Sequence, residues 1–138
     1  LSRKLGLGDC VHFAGHQQDV RDWLRRSSLF LLTSRSEGLS LAMIEAMLCG
    51  LPAVVSNVGD LADLVEHGVN GYLVPVGAVD DFAAHVTELL TNADRRNSFS
   101  KTARESAMRH DLRAITQKWN RIYGGIDPAG ETASQERT

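Results

Sequence analysis

Two glutamates, Glu37 and Glu45, stand with seven residues between them in the run Ser34-Arg-Ser-Glu-Gly-Leu-Ser-Leu-Ala-Met-Ile-Glu. The run opens as a polar, glycine-bearing loop and continues with apolar residues at helical spacing, so it predicts a loop entering a helix at about Ser40. A helix N-terminus leaves backbone N–H groups unpaired and carries the positive end of the helix dipole. The amides of Leu39, Ser40 and Leu41 are therefore suited to hold a diphosphate, and Gly38 allows it to approach closely. Glu37 has the wrong charge to attract phosphate. Its carboxylate suits neutral hydroxyls instead, which a sugar supplies. Glu45, about a turn and a half into the helix, can reach back to a ribose and accept from both hydroxyls, as acidic residues do in dinucleotide folds.

Each acid also has a plainer role. A lone glutamate near a helix start commonly serves the dipole, and Glu45 alone would be an exposed helical acid. The flanking Met43, Ile44, Ala46 and Met47, however, predict a largely buried helix. An unpaired carboxylate there is costly, which favours a binding role for Glu45.

The elements that must position these residues follow from apolar patterning. Short continuous runs alternate with helical stretches, the pattern of a parallel sheet with crossover helices. A first strand is expected at Val11-His-Phe, then a turn at Gly15 and a helix from about Asp19, its N-cap, with Val20, Trp23 and Leu24 on one side. Ser28 to Thr33 reads as a strand buried on both faces, and the helix from Ser40 to Leu48 stops at Gly50 and Pro52. Ala53-Val-Val-Ser is the next strand, Gly59 to Gly68 a short helix, Asn70-Gly71 a turn and Tyr72-Leu-Val a further strand. Three helices are expected beyond Pro75, at about Asp80–Leu90, Asp94–Arg109 and Asp111–Tyr123, followed from Asp127 by a polar, disordered tail. The fold class is thus α/β, a Rossmann-like parallel sheet with flanking helices, with residues 1–126 as one domain and 127–138 as tail.

At 138 residues, 43% of them hydrophobic, the chain can bury one core, and it reads as a single soluble unit. Fifteen basic side chains against 17 acidic ones, net charge −2, leave no footprint for nucleic acid or an anionic membrane. Cys10 and Cys49 form no metal or disulfide spacing and read as reduced thiols in a cytoplasmic protein. Five scattered histidines, among them His12, His67, His85 and His110, lack ligand spacing, and only His16 has an argument from location. Trp23, Trp119 and Tyr123 are expected in core or interdomain packing rather than as a sugar platform. No apolar run approaches the ~20 residues of a membrane span, and no signal peptide is visible. The start at Leu1 rather than Met is read as a start inside a longer protein.

The Glu-x7-Glu spacing in Ser-x-x-Glu-Gly-Leu-Ser-Leu-x-x-x-Glu-Ala-Met-x-x-Gly-Leu-Pro resembles the retaining glycosyltransferases built from two Rossmann-like domains, the GT-B fold. The likeness extends from Val11-His-Phe-Ala-Gly through Leu29-Phe-Leu-Leu-Thr-Ser, Val54-Val-Ser-Asn-Val-Gly, Leu64-Val-Glu-His-Gly and Asn70-Gly-Tyr-Leu-Val to Tyr123. It implies the C-terminal, donor-binding domain of a hexosyl-type transferase. Glu37 would contact sugar hydroxyls as the catalytic-site acid, Glu45 would bind the ribose, and the amides of Gly38 to Leu41 the distal phosphate. His16 and Gln17 would lie against the nucleobase. It further implies transfer from a nucleoside-diphosphate sugar with retention of configuration, and neither a metal nor a permanently bound cofactor.

Two departures stand out. Asp60 replaces a glycine frequent in the family. The first βα unit, with the Arg and Lys pair that neutralises the leaving diphosphate, and the N-terminal acceptor-binding domain would all precede Leu1. Any peripheral membrane association would reside in that missing domain. A leaving diphosphate without a cationic partner loses its main electrostatic stabilisation, so the chain alone is expected to lack transferase activity. Other readings are a non-catalytic or regulatory nucleotide-binding α/β domain, including a degenerate transferase, and a nucleotide-sugar epimerase of similar architecture. A receiver-like module would need acids clustered at strand ends, which the predicted strands lack.

Overall fold

The computed structural model describes residues 1–109, so the predicted helix Asp111–Tyr123 and the tail from Asp127 lie outside the described residues. Its centre is β2 (Ala53–Ser56), in which all four residues are buried, as an uninterrupted Ala-Val-Val-Ser run requires. On one side β2 pairs in parallel with β1 (Phe30–Leu32), Phe30 opposite Ala53; on the other it pairs in parallel with β3 (Gly71–Val74), Ala53 opposite Gly71. Gly71 is demanded here by close approach, since a Cβ at this position would sit 2.3 Å from the Ala53 carbonyl oxygen.

A short helix α1 (Arg21–Arg26) precedes β1, and α2 (Leu41–Leu48) connects β1 to β2. A 3₁₀ turn (Gly59–Asp63) lies between β2 and β3, and α3 (Val79–Thr91) and α4 (Ala93–Met108) follow. The pleat of the sheet divides the core in two. Ala53 and Val55 face Met43, Ile44 and Met47 of α2 together with Leu61, Leu64 and Val65, while Val54 shares the opposite face with Tyr72, Val74, Phe82 and Leu89. Helix α4 serves both halves, with Phe99 in the second and Ala103 and Ala107 in the first. Full burial of a methionine or isoleucine contributes about 1.5–3 kcal/mol, so the inner face of α2 is a principal anchor of the layer.

The end of α2 follows the predicted stop. Gly50 takes φ +81°, its N–H donates to the Met47 carbonyl at 2.9 Å and the Leu51 N–H to the Ala46 carbonyl at 3.0 Å. These two bonds are the paired closure that lets a left-handed glycine end a helix. The outer edge of β3 is partly covered, His67 Nδ1 serving one of two Leu73 groups according to its tautomer. His67 Nδ1 lies 3.2 Å from the Leu73 N–H nitrogen and 3.1 Å from the Leu73 carbonyl oxygen, and the Gly68 N–H donates to the Gly71 carbonyl at 2.9 Å.

The structure corrects several expectations. Val11-His-Phe is not a strand, and Phe13 is 80% exposed. A strand exists only with a neighbour to pair with, and among the described residues none stands beyond β1. For the same reason β1 covers only Phe30–Leu32 and is not buried on both faces, Leu31 being 49% exposed at the sheet edge. Helix α1 begins at Arg21 and buries no residue, and Trp23 stacks on His12 at 5.5 Å in partial exposure instead of entering the core. Asp19 still caps from just outside, accepting from the Arg21 N–H at 3.0 Å, although Val20 holds the residue position next to the helix. The Gly59–Gly68 segment is a 3₁₀ turn over Gly59–Asp63, not a longer helix, because Leu61, Leu64 and Val65 must all turn into the core.

Candidate functional site

The loop of residues 33–40 leaves the carboxyl end of β1 and enters α2, as the sequence pattern requires. Ser40 takes the N-cap position in extended conformation, and its hydroxyl accepts from the Met43 N–H at 3.3 Å. That cap satisfies one of the orphan donors of the first turn. The N–H groups of Leu39, Ser40 and Leu41 find no acceptor among the described residues, and Leu39 and Leu41 are exposed. An exposed helix start with unpaired donors is competent to bind an anion. Gly38 is exposed, and a Cβ there would meet nothing within 4 Å. The protein itself therefore places no demand for glycine at this position.

Glu37 is half-buried, and its carboxylate accepts a hydrogen bond from the Ser34 hydroxyl at 2.5 Å, Oγ to Oε1. Its main chain lies against the glycine that opens the 3₁₀ turn: a Cβ on Gly59, at φ +52°, would fall 1.8 Å from the Glu37 carbonyl oxygen. The loops leaving the adjacent strands β1 and β2 thus touch at Glu37.

Glu45 projects from the outer face of α2. Met43, Ile44, Ala46 and Met47 are buried as expected, yet Glu45 itself is exposed. The expectation of a costly buried carboxylate is therefore wrong. At 100° per residue Glu45 falls with Leu41 and Leu48, opposite the core-facing stripe. It lines a cleft of about 460 Å³ with Gln18, Asp19, Val20, Arg21, Leu24, Leu48 and Cys49. Within that cleft the Arg21 guanidinium clasps Asp19, with contacts of 2.9, 3.0 and 2.6 Å. The hydrogen bonds from the Arg21 side chain and backbone hold the Asp19 carboxyl well below the usual carboxylate range. From Leu41 to Glu45 the helix rises about 6 Å, so one element carries the anion-competent terminus and a carboxylate beside the cleft.

His16 and Gln17 sit in the irregular segment just before the cleft lining at Gln18. His16 is exposed, and Gln17 turns its amide back to the Ala14 carbonyl at 2.6 Å. The structure therefore brings Glu37 to Leu41 and Glu45 together on one loop and helix, and leaves His16 and Gln17 outside the cleft lining. Four residues to which the sequence assigns no role in the site are Ser34, Gly59, Arg21 and Arg35. Arg35 is the one cation of segment 33–41 and lines a cleft of about 560 Å³ with Thr33, Val76, Gly77, Val79 and Phe82, beyond the carboxyl ends of β1 and β3. The Ser-x-x-Glu and Asp-x-Arg spacings were visible signals for Ser34 and Arg21; the contact of Gly59 with Glu37 has none, because it joins two loops. Ser56, at the carboxyl end of β2, is buried with an unpartnered hydroxyl among the described residues.

Among the described residues no group of three or more His, Cys, Asp or Glu side chains is arranged to hold a metal ion, and no helix is long and apolar enough to cross a membrane. Cys10 and Cys49 are free thiols, both exposed.

A parallel α/β layer with an open helix terminus at the carboxyl end of its strands is the class of domain in which nucleotides are bound. The family model described as "Glycosyl transferases group 1" matches residues 1–106, and the chain belongs to that family. It is 36% identical over 106 residues to N-acetyl-alpha-D-glucosaminyl L-malate synthase of Bacillus anthracis, covering 77% of this chain and 28% of that protein. It is 38% identical over 109 residues to D-inositol 3-phosphate glycosyltransferase of Kribbella flavida, covering 78% of this chain and 26% of that protein. Among solved structures it is similar to sucrose-phosphate synthase from Thermosynechococcus elongatus, with TM-score 0.83 and 27% identity over 91% of this chain and 32% of that one. Anabaena HepE in complex with UDP-glucose gives TM-score 0.83 and 28% identity over 91% of this chain and 35% of that one. These neighbours are GT-B glycosyltransferases, and the chain spans about a quarter to a third of the proteins it matches. The Rossmann-like fold class is that of the sequence reading.

Proposed function

We propose that this chain is the donor-binding portion of a hexosyl-type glycosyltransferase that takes a sugar from a nucleoside-diphosphate sugar and transfers it with retention of configuration. The observation that carries the reading is the shared placement of Glu37, the unpaired amides and Glu45 on one loop and helix. The amides of Leu39 to Leu41 take the distal phosphate, Glu37 accepts from sugar hydroxyls and Glu45 accepts from the ribose beside its cleft. His16 and Gln17 precede that cleft and approach the nucleobase from its rim. Binding of UDP and UDP-glucose by HepE supports a nucleotide-sugar as the ligand class.

The reaction needs neither a metal nor a bound cofactor in this reading. It does need an N-terminal acceptor-binding domain and the upstream cations that stabilise the departing diphosphate. Residues 1–126 form the donor domain and 127–138 a polar tail of a cytoplasmic enzyme, with any membrane contact made by the acceptor domain. Titration of UDP-, GDP- and ADP-sugars against the protein joined to its acceptor domain tests this, with turnover measured in parallel for the 138-residue chain alone. Saturable binding of one donor, turnover only by the two-domain form and weakened binding in Glu45→Ala are expected. Absence of binding to all three donors, or full affinity in Glu45→Ala, overturns it.

A further inference from the structure

We propose that Ser34 and Gly59 are positioning residues that fix Glu37 from two sides, one through its side chain and one through its main chain. The proposal rests on the reading of Glu37 as the residue that contacts the donor sugar.

A glutamate on an exposed loop has several rotamers, and ordering it on binding consumes part of the affinity it provides. Here both halves of the residue are already held. The Ser34 hydroxyl donates to Oε1 at 2.5 Å. That bond spends one acceptor direction of the carboxylate and leaves Oε2 and the remaining lone pair of Oε1 for sugar hydroxyls. The peptide of Glu37 rests directly on Gly59, where an added Cβ would meet the Glu37 carbonyl oxygen at 1.8 Å and its carbonyl carbon at 2.8 Å. Both are main-chain atoms, so no flexible side chain can yield. Gly59 also holds φ +52°, which side chains rarely adopt.

The support under Gly59 is itself rigid. It opens the 3₁₀ turn whose Leu61 is fully buried, and Leu64 and Val65 continue into the same core cluster. Because β1 and β2 are adjacent and parallel, the loops leaving their carboxyl ends are neighbours by topology. Glu37 is thereby braced against the sheet core through a residue remote in sequence, a supporting shell that holds the contacting group in place.

The full chain, as wild type, Ser34→Ala, Ser34→Thr, Gly59→Ala and Glu37→Ala, is measured in two ways. Backbone ¹⁵N relaxation reads the order of Glu37 and Gly38 without ligand, and calorimetry reads affinity for UDP-glucose relative to UDP. We expect Ser34→Ala and Gly59→Ala to mobilise Glu37 and to lower the UDP-glucose to UDP affinity ratio by about tenfold, the loss of one charge-assisted hydrogen bond, with Ser34→Thr restoring both. Ser34→Ala removes a single hydroxyl and tests the idea even if Gly59→Ala fails to fold. A general loss of structure would weaken both ligands and leave the ratio unchanged. If Glu37→Ala lowers the ratio while Ser34→Ala leaves ratio and mobility at wild-type values, the positioning role is wrong and the donor site stands. If Glu37→Ala leaves the ratio unchanged, the donor reading fails and this proposal with it, whatever the relaxation data show.

Discussion

Asn70 and Ser106, 36 positions apart, are joined inside the protein by a hydrogen bond from Asn70 Nδ2 to Ser106 Oγ at 2.9 Å. Asn70 also donates to the Leu64 carbonyl at 2.9 Å and accepts from the Glu66 N–H at 2.8 Å, so one buried amide fastens the turn before β3 to itself and to α4. Removing this amide takes from the Leu64 carbonyl and the Glu66 N–H the hydrogen bonds it supplies, at about 1–3 kcal/mol for each strongly desolvated group, while Ser106 keeps its bond from Arg109. Asn70→Ala is expected to destabilise the chain by roughly 2–4 kcal/mol. Urea unfolding checks this, and an unchanged midpoint would show that the turn is held by other means.

Glu45 is exposed and its carboxylate has no hydrogen-bond or ion-pair partner among the described residues, so its replacement should separate binding from stability. Glu45→Ala should change unfolding free energy by no more than about 0.5 kcal/mol while weakening UDP-glucose roughly ten- to a hundredfold, the worth of hydrogen bonds to a charged group. Thermal unfolding and calorimetry on one preparation decide the matter. Lost stability with retained affinity would return Glu45 to the ordinary role of a helical surface acid.

Tyr72 should give the fold an alkaline limit. Its hydroxyl is pushed up from the ordinary tyrosine value by burial first and then by its hydrogen bond to Glu88 Oε2 at 2.8 Å, with Arg95 acting in opposition. A group whose pKa is higher when folded stabilises the fold fully below its unfolded value, about 10, and that stability is lost as pH rises through the folded value. The Tm of the wild type should therefore fall more steeply above pH ~10 than that of Tyr72→Phe, with phenolate absorbance followed alongside. Parallel curves would remove Tyr72 as the cause.

Two glycines offer an internal contrast. Gly71→Ala drives a Cβ to 2.3 Å from the Ala53 carbonyl oxygen inside the sheet, whereas Gly38→Ala places one in open space. The first substitution should destabilise by several kcal/mol, on the order of 3, and the second by no more than about 1 kcal/mol. If the amides beside Gly38 receive a diphosphate, Gly38→Ala should still weaken UDP. Circular dichroism melts and UDP titration of both variants make the comparison.

Much of the architecture was legible because local rules and tertiary context agree. The apolar run at β2, the Gly50 and Pro52 stop after α2 and the helical spacing of Phe82 and Leu89 each point to the element that forms. The misses fall where a partner decides. Val11 to Phe13 has strand composition but no neighbouring strand among the described residues, and Trp23 has an apolar ring but no core to enter. The site divides in the same way. The Glu37 loop and the open helix start can be read from residue types, while the exposure of Glu45 cannot be read from its apolar neighbours in sequence, because adjacent positions on a helix point to different faces. The sequence marks Gly59 only as the start of a helical turn, because its contact with Glu37 exists only once β1 and β2 lie side by side.

The imidazole of His67 at Leu73 gives the sheet a polarity of growth. With the carbonyl of Gly71 engaged by the Gly68 N–H and His67 Nδ1 serving either the N–H or the C=O of Leu73 according to its tautomer, the β3 margin among the described residues is partly hemmed against a further strand. β1 has no partner on its far side among the described residues. The far side of β1 is therefore the more open margin of the sheet, while Glu37 lies on the other side of β1, toward β2, where Gly59 meets it.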